Sequence, residues 1–174
     1  MRRVVLVFGF IAGGILSAMM FITILFKDQI GFDKGAIIGY GTMVLAFLMV
    51  FFGVRSYRDN VTGGAVSFGR ALQVGLLIMV IASVCYVATW EIIYHTMAPD
   101  YLDKYAAYAT EKARASGATA AQIAEKAQEM ANLEEMYRNP VLQVALTLLE
   151  PLPVGLIFTL VTAGILSRKR KGAA

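Results

Sequence analysis

Three ionisable side chains stand beside or within long apolar runs: Glu91, His95 and Glu150. Glu91 and His95 occupy positions i and i+4, so on a helix they share one face. With Glu150 delivered from a neighbouring helix, the three could offer a divalent cation two carboxylates and an imidazole. The same trio could carry a proton or another ion, or serve as a paired structural cluster, since intramembrane ionisable groups are as a rule paired. The residue pattern favours the structural cluster, because Glu-x3-His with one distant acid lacks the supporting motif that marks a metalloenzyme. The trio is therefore taken as a candidate polar cluster, and the sequence assigns no catalytic residue, metal ligand or cofactor.

Glu150 has the most unusual surroundings. It lies in Thr147-Leu148-Leu149-Glu150-Pro151-Leu152-Pro153-Val154-Gly155, inside the last long apolar run. A carboxylate in such a run is expensive to bury, and each proline removes a backbone donor and can bend or break a helix. The surrounding fold has to compensate for both.

The elements that position these groups are membrane spans. The 174 residues are 58% hydrophobic and 16% charged, with a mean hydropathy of +0.65. Soluble domains carry about 25% charged residues, so this composition excludes an ordinary soluble domain. Val4–Phe26 is an apolar run behind Arg2 and Arg3, longer than the roughly 20 residues that cross a bilayer and longer than the core of a cleaved signal peptide. Gly9, Gly13 and Ser17 recur every fourth residue along it, a small-residue stripe that lets another helix approach closely. The further spans are expected at about 35–54, 71–94 and 141–167. Lys27–Lys34 is expected as a short polar loop, and Arg55–Arg70, with Gly63-Gly64, as a basic connecting loop. Cys85 is the only cysteine, so it can form no intramolecular disulfide, and it lies in an apolar run where packing is its expected role.

Residues 99–140 form the one long polar stretch. Tyr101, Tyr105 and Tyr108 fall on one face of a first helix, which Gly117 ends. Thr119 with Gln122 has the form of a capping box that opens a second helix to about Arg138. The pair reads as a helical hairpin, too small to hold a core of its own and dependent on the membrane bundle. The tyrosine stripe is expected to serve packing or contact with the membrane surface.

Orientation follows from the bases. Arg2, Arg3, Arg55, Arg58, Arg70 and the Arg168–Lys171 tail share one side with a single acid, Asp59. Cytoplasmic loops are enriched in Lys and Arg, so both termini are expected in the cytoplasm and the hairpin outside it. Counting about 20 residues from Arg70 and back from Arg168 brings Glu91 and Glu150 to similar depth near the opposite boundary. Trp90 and Tyr94 then sit where amphipathic rings prefer to be. The net charge of +4 belongs to this tail and loop, and no nucleic-acid-binding module accompanies it.

Several stretches carry a family resemblance: Gly39-Tyr40 with Met43, Phe51-Phe52-Gly53-Val54-Arg55-Ser56-Tyr57-Arg58-Asp59, Gly63-Gly64, Ser67-Phe68, and Glu150 to Ile157 followed by the basic tail. Together they resemble the domain-of-unknown-function 4199 family, most specifically from Phe51 to Asp59. The resemblance implies a four-span protein of the bacterial inner membrane and supplies no substrate, cofactor or catalytic residue. The expected fold is an all-α integral membrane four-helix bundle with an extracytoplasmic helical hairpin between spans three and four. The expected function is non-enzymatic, a structural or accessory protein in the lipid bilayer whose hairpin meets a protein partner or the outer leaflet. The alternative is a small proton- or cation-linked transporter that uses Glu150 beside the Pro151/Pro153 helix break, although transporter sites usually lie nearer the midplane.

Overall fold

In lipid a backbone has to satisfy its own hydrogen bonds, so each long apolar run closes into a helix. The computed structural model describes residues 1–167, and every regular element among them is helical. The elements are α1 (Arg2–Leu25), α2 (Lys27–Asn60), α3 (Phe68–Thr96), α4 (Tyr101–Ala115), α5 (Ala120–Arg138), α6 (Pro140–Leu149) and α7 (Pro151–Leu166). Four stretches are long and apolar enough to cross a membrane: α1, α2, α3 and the α6–α7 unit Pro140–Leu166. The basic tail Arg168–Lys171 lies outside the described residues.

Helix α3 is the central element, packed against α1, α2, α6 and α7. Its contact with α1 runs parallel and follows the small-residue stripe. Gly9 lies against Ile81, Gly13 against Cys85, and the Ser17 hydroxyl is 2.7 Å from that of Thr89, so two four-residue periods meet rung by rung. A Cβ at Gly13 would stand 2.6 Å from the Cβ of Cys85, closer than carbon atoms approach, which is why this rung holds a glycine. On the other side of α3 the core is filled by Phe47, Val50, Val54, Val74 and Ile78, all fully buried. Large apolar side chains such as Phe10, Ile37, Leu45, Val84, Ile157 and Leu160 point outward, a belt suited to acyl chains.

Two boundaries differ from those the sequence suggests. The expected loop over Lys27–Lys34 is helical: only Phe26 interrupts the chain between α1 and α2, and its carbonyl accepts the Gln29 and Ile30 amides at 3.0 Å each. The chain instead bends at Gly31, whose φ of 71° and ψ of 168° suit a residue without a Cβ. The loop expected over Arg55–Arg70 shrinks to residues 61–67, because α2 continues through the Arg55–Asp59 ion pair and stops before Gly63 and Gly64, both at positive φ.

Helices α4 and α5 form the expected hairpin, with the Thr119/Gln122 capping box at the start of α5. The hairpin lies against the bundle. Phe32, just past the Gly31 bend, sits among the three tyrosines of the α4 stripe, with ring centroids 5.6, 5.5 and 5.0 Å from Tyr101, Tyr105 and Tyr108. The Lys112 ammonium donates to the Asp33 carboxylate beside this contact. A second apolar cluster, Ile24, Ile93 and Ala98 with Phe21, Trp90 and Tyr101 against it, seals the joint.

Candidate functional site

The last span is built in two pieces. Asn139 caps α6, its Oδ1 accepting the Val141 and Leu142 amides at 2.9 and 3.3 Å, and Pro140 occupies the first turn where its missing donor is harmless. Beyond the ten residues of α6, Pro151 and Pro153 withdraw two further donors, and the ladder thins to a 3.4 Å bond from the Glu150 amide to the Thr147 carbonyl. Glu150 keeps helical torsions at this break. The interruption sets its carboxylate at the joint between α6 and α7, where it meets Tyr86 of α3. The Tyr86 hydroxyl donates to Glu150 Oε2.

Both groups face a chamber of about 600 Å3 between the bundle and the hairpin. Its walls include the apolar Leu16, Met20 and Met43 of α1 and α2 and the rings of Phe32, Tyr40, Trp90, Tyr101, Tyr105 and Tyr137. Trp90 meets Tyr101 edge to face at 5.0 Å, and Tyr101 stacks on Tyr105 at 6.4 Å. Lys27, Asp28 and Lys104 stand at the polar end. Lys104 is committed to Asp100 at 2.5 Å. Among the described residues, Glu150 has no Lys, Arg or His within salt-bridge distance.

The electrostatic influence of Glu150 extends to the hairpin. Burial pushes the Tyr101 phenol up to about 12, and the Glu150 charge adds to the shift. Burial likewise raises Tyr137, with Glu150 again contributing. At the docking contact the hydrogen bond to Asp33 holds the Lys112 ammonium above its ordinary value.

The three candidate residues divide into a pair and a separate acid. His95 Nε2 lies 3.4 Å from Glu91 Oε2 on the same helical face, a separation long for a hydrogen bond. Glu91 Oε1 is buried without a partner, as are Trp90 Nε1 and Gln143 Nε2 at the same end of the fold. Glu150 is bound to Tyr86 instead. Among the described residues no three His, Cys, Asp or Glu side chains gather where they could hold a metal ion. Trp90, next to Glu91, lines the same chamber as Glu150, so both acids belong to the hairpin end.

Tyr86 and Phe32 are the site residues that sequence reasoning missed. Tyr86 sits in an apolar run with no periodic feature to single it out, and Phe32 lies in a stretch read as loop. The interfacial role expected of Trp90 gave no hint of a chamber wall, and the tyrosine stripe signalled packing without naming its partner.

Four apolar crossing-length helices, a small-residue seam between two of them and a hairpin docked on one end define an all-α membrane protein. The chain belongs to the family described as protein of unknown function (DUF4199), whose model matches residues 7–168. No curated protein and no solved structure matches it.

Proposed function

We propose that this chain is a non-enzymatic membrane protein that holds a small molecule between its bundle and its hairpin, acting as an accessory or structural component. The chamber carries the reading: about 600 Å3 falls inside the roughly 300–1,000 Å3 of small-molecule sites, and an apolar lining with a few convergent polar groups matches their composition. The distribution of bases supports cytoplasmic termini and an extracytoplasmic hairpin in a bacterial inner membrane. In that orientation the charged outward side of α5 is available to a protein partner. Native mass spectrometry of the protein released directly from membrane vesicles tests the holding role. The wild type should carry a small adduct that Leu146→Trp, which narrows the chamber, weakens. A wild type with no adduct, or an adduct held as well by Leu146→Trp as by the wild type, refutes it.

A proton- or cation-linked transporter is the second reading, supported by the position of Glu150 at a broken helix and on the chamber wall. It requires Glu150→Gln to abolish proton or cation flux in proteoliposomes while the fold persists. Unchanged flux, or none in the wild type, removes it.

A further inference from the structure

We infer that the chamber is a site for an organic cation, an ammonium group carried on an apolar body, with Glu150 as its counter-charge and the surrounding rings as its cage. This deepens the holding role proposed above and rests on it. Four observations converge on the charge.

First, Glu150 is an acid at membrane depth with no cationic partner among the described residues, and acids so placed are ordinarily paired. Second, its bond to Tyr86 occupies one of the roughly four acceptor positions of a carboxylate, which leaves it free to receive a cation from the chamber. Third, the chamber is lined by the rings of Trp90, Tyr101, Tyr105 and Tyr137. Aromatic faces attract cations and are the usual lining of sites for quaternary ammonium groups. Fourth, Leu16, Met20 and Met43 form an apolar stretch of wall that suits an apolar body, and the Thr23 and Thr42 hydroxyls beside them are already bonded to backbone carbonyls. Of the charges at the polar end, Lys104 is held by Asp100, and Lys27 and Asp28 carry opposite signs.

The ammonium could belong to a free hydrophobic cation or to a lipid headgroup, and one experiment separates them. Trp90 is the only tryptophan in the chain, so its emission reports the chamber directly. The full chain in phosphatidylglycerol nanodiscs is titrated with benzyltrimethylammonium and with its neutral isostere neopentylbenzene. The cation should give a saturable change in emission, and Glu150→Gln should weaken it at least tenfold while the isostere shifts less than twofold. Should Glu150→Gln not fold, Tyr105→Leu carries the test, with about a fivefold loss for the cation alone. Nanodiscs containing phosphatidylethanolamine or phosphatidylcholine should weaken the probe if a lipid headgroup is the occupant, and leave it unchanged if a free cation is. Saturable binding of the isostere as tight as that of the cation, or a cation affinity indifferent to Glu150→Gln and to Tyr105→Leu, overturns the charge assignment and leaves the holding role standing. No saturable response to either probe overturns both.

Discussion

Tyr86 and Glu150 lie 64 residues apart in sequence, and the Tyr86 hydroxyl donates to the Glu150 carboxylate across the joint between α3 and the broken last span. Hydrogen bonds to charged groups contribute about 1.5–3 kcal/mol net. Tyr86→Phe should therefore lower stability by roughly that amount, and Glu150→Leu, which leaves the Tyr86 hydroxyl without its acceptor, by a similar amount. The double variant should cost less than the sum of the two. Unfolding in mixed micelles, followed by far-ultraviolet circular dichroism, measures the cycle, and strict additivity would show that the bond contributes nothing.

The seam between α1 and α3 makes a sharper steric prediction. Gly13→Ala drives a methyl to within 2.6 Å of Cys85 Cβ and 2.7 Å of Cys85 Sγ, whereas a methyl at Gly14 meets nothing within 4 Å. Overpacking of this kind costs about 1–3 kcal/mol, and Ala is intrinsically better than Gly in a helix by roughly 0.5–1 kcal/mol. Gly13→Ala should destabilise and Gly14→Ala should be neutral or stabilising in the same micelle assay. Adding Cys85→Gly to Gly13→Ala should recover part of the loss, because it removes both clashing atoms.

What the sequence reveals about this fold depends on whether the cause is local. The spans are legible because an apolar run long enough to cross lipid has few alternatives to a helix, and the Gly9, Gly13, Ser17 stripe announces a close neighbour through its spacing alone. The partner stripe of Ile81, Cys85 and Thr89 is not legible, since those residues look like any others in an apolar run. The polar turn expected after Phe26 is helical because its Gln29 and Ile30 amides bond to the Phe26 carbonyl, a backbone bond that composition does not reveal. Glu150 stands out by its chemistry and its prolines. Its partner Tyr86 and the chamber they share are products of tertiary packing, and no spacing along the chain encodes them.

Docking of the hairpin concentrates on Phe32, which meets three tyrosines of α4. Aromatic pairs contribute about 0.5–1.5 kcal/mol each beyond the area they bury. Phe32→Ala should loosen α4 and α5 by roughly 2 kcal/mol, which corresponds to about thirtyfold faster amide exchange there. Exchange in the α1–α3 seam should be unaffected. Hydrogen–deuterium exchange by segment checks this, and equal acceleration in the seam would mean that the hairpin and bundle unfold as one unit.

The same contact should fail at alkaline pH, and the direction follows from its ionisable groups. Tyr101 ionises at about 12 in the folded chain against 10.0 for a free phenol, because burial and then the Glu150 charge disfavour its anion. A group whose folded value is raised contributes stability in full below its unfolded value and loses it as the pH climbs to the folded one, here between about 10 and 12. Lys112 acts in the same sense, since its hydrogen bond to Asp33 raises it above 10.5, and that contribution also fades only at high pH. Exchange in α4 and α5 should therefore keep its ordinary base-catalysed slope up to about pH 9.5 and exceed that slope from roughly pH 10 upward. Spectrophotometric titration of the tyrosines should show a late-ionising class, and Tyr101→Phe should remove one phenol from it. A hairpin that detaches below pH 9, or a late class untouched by Tyr101→Phe, would show that Tyr101 is not buried at the joint.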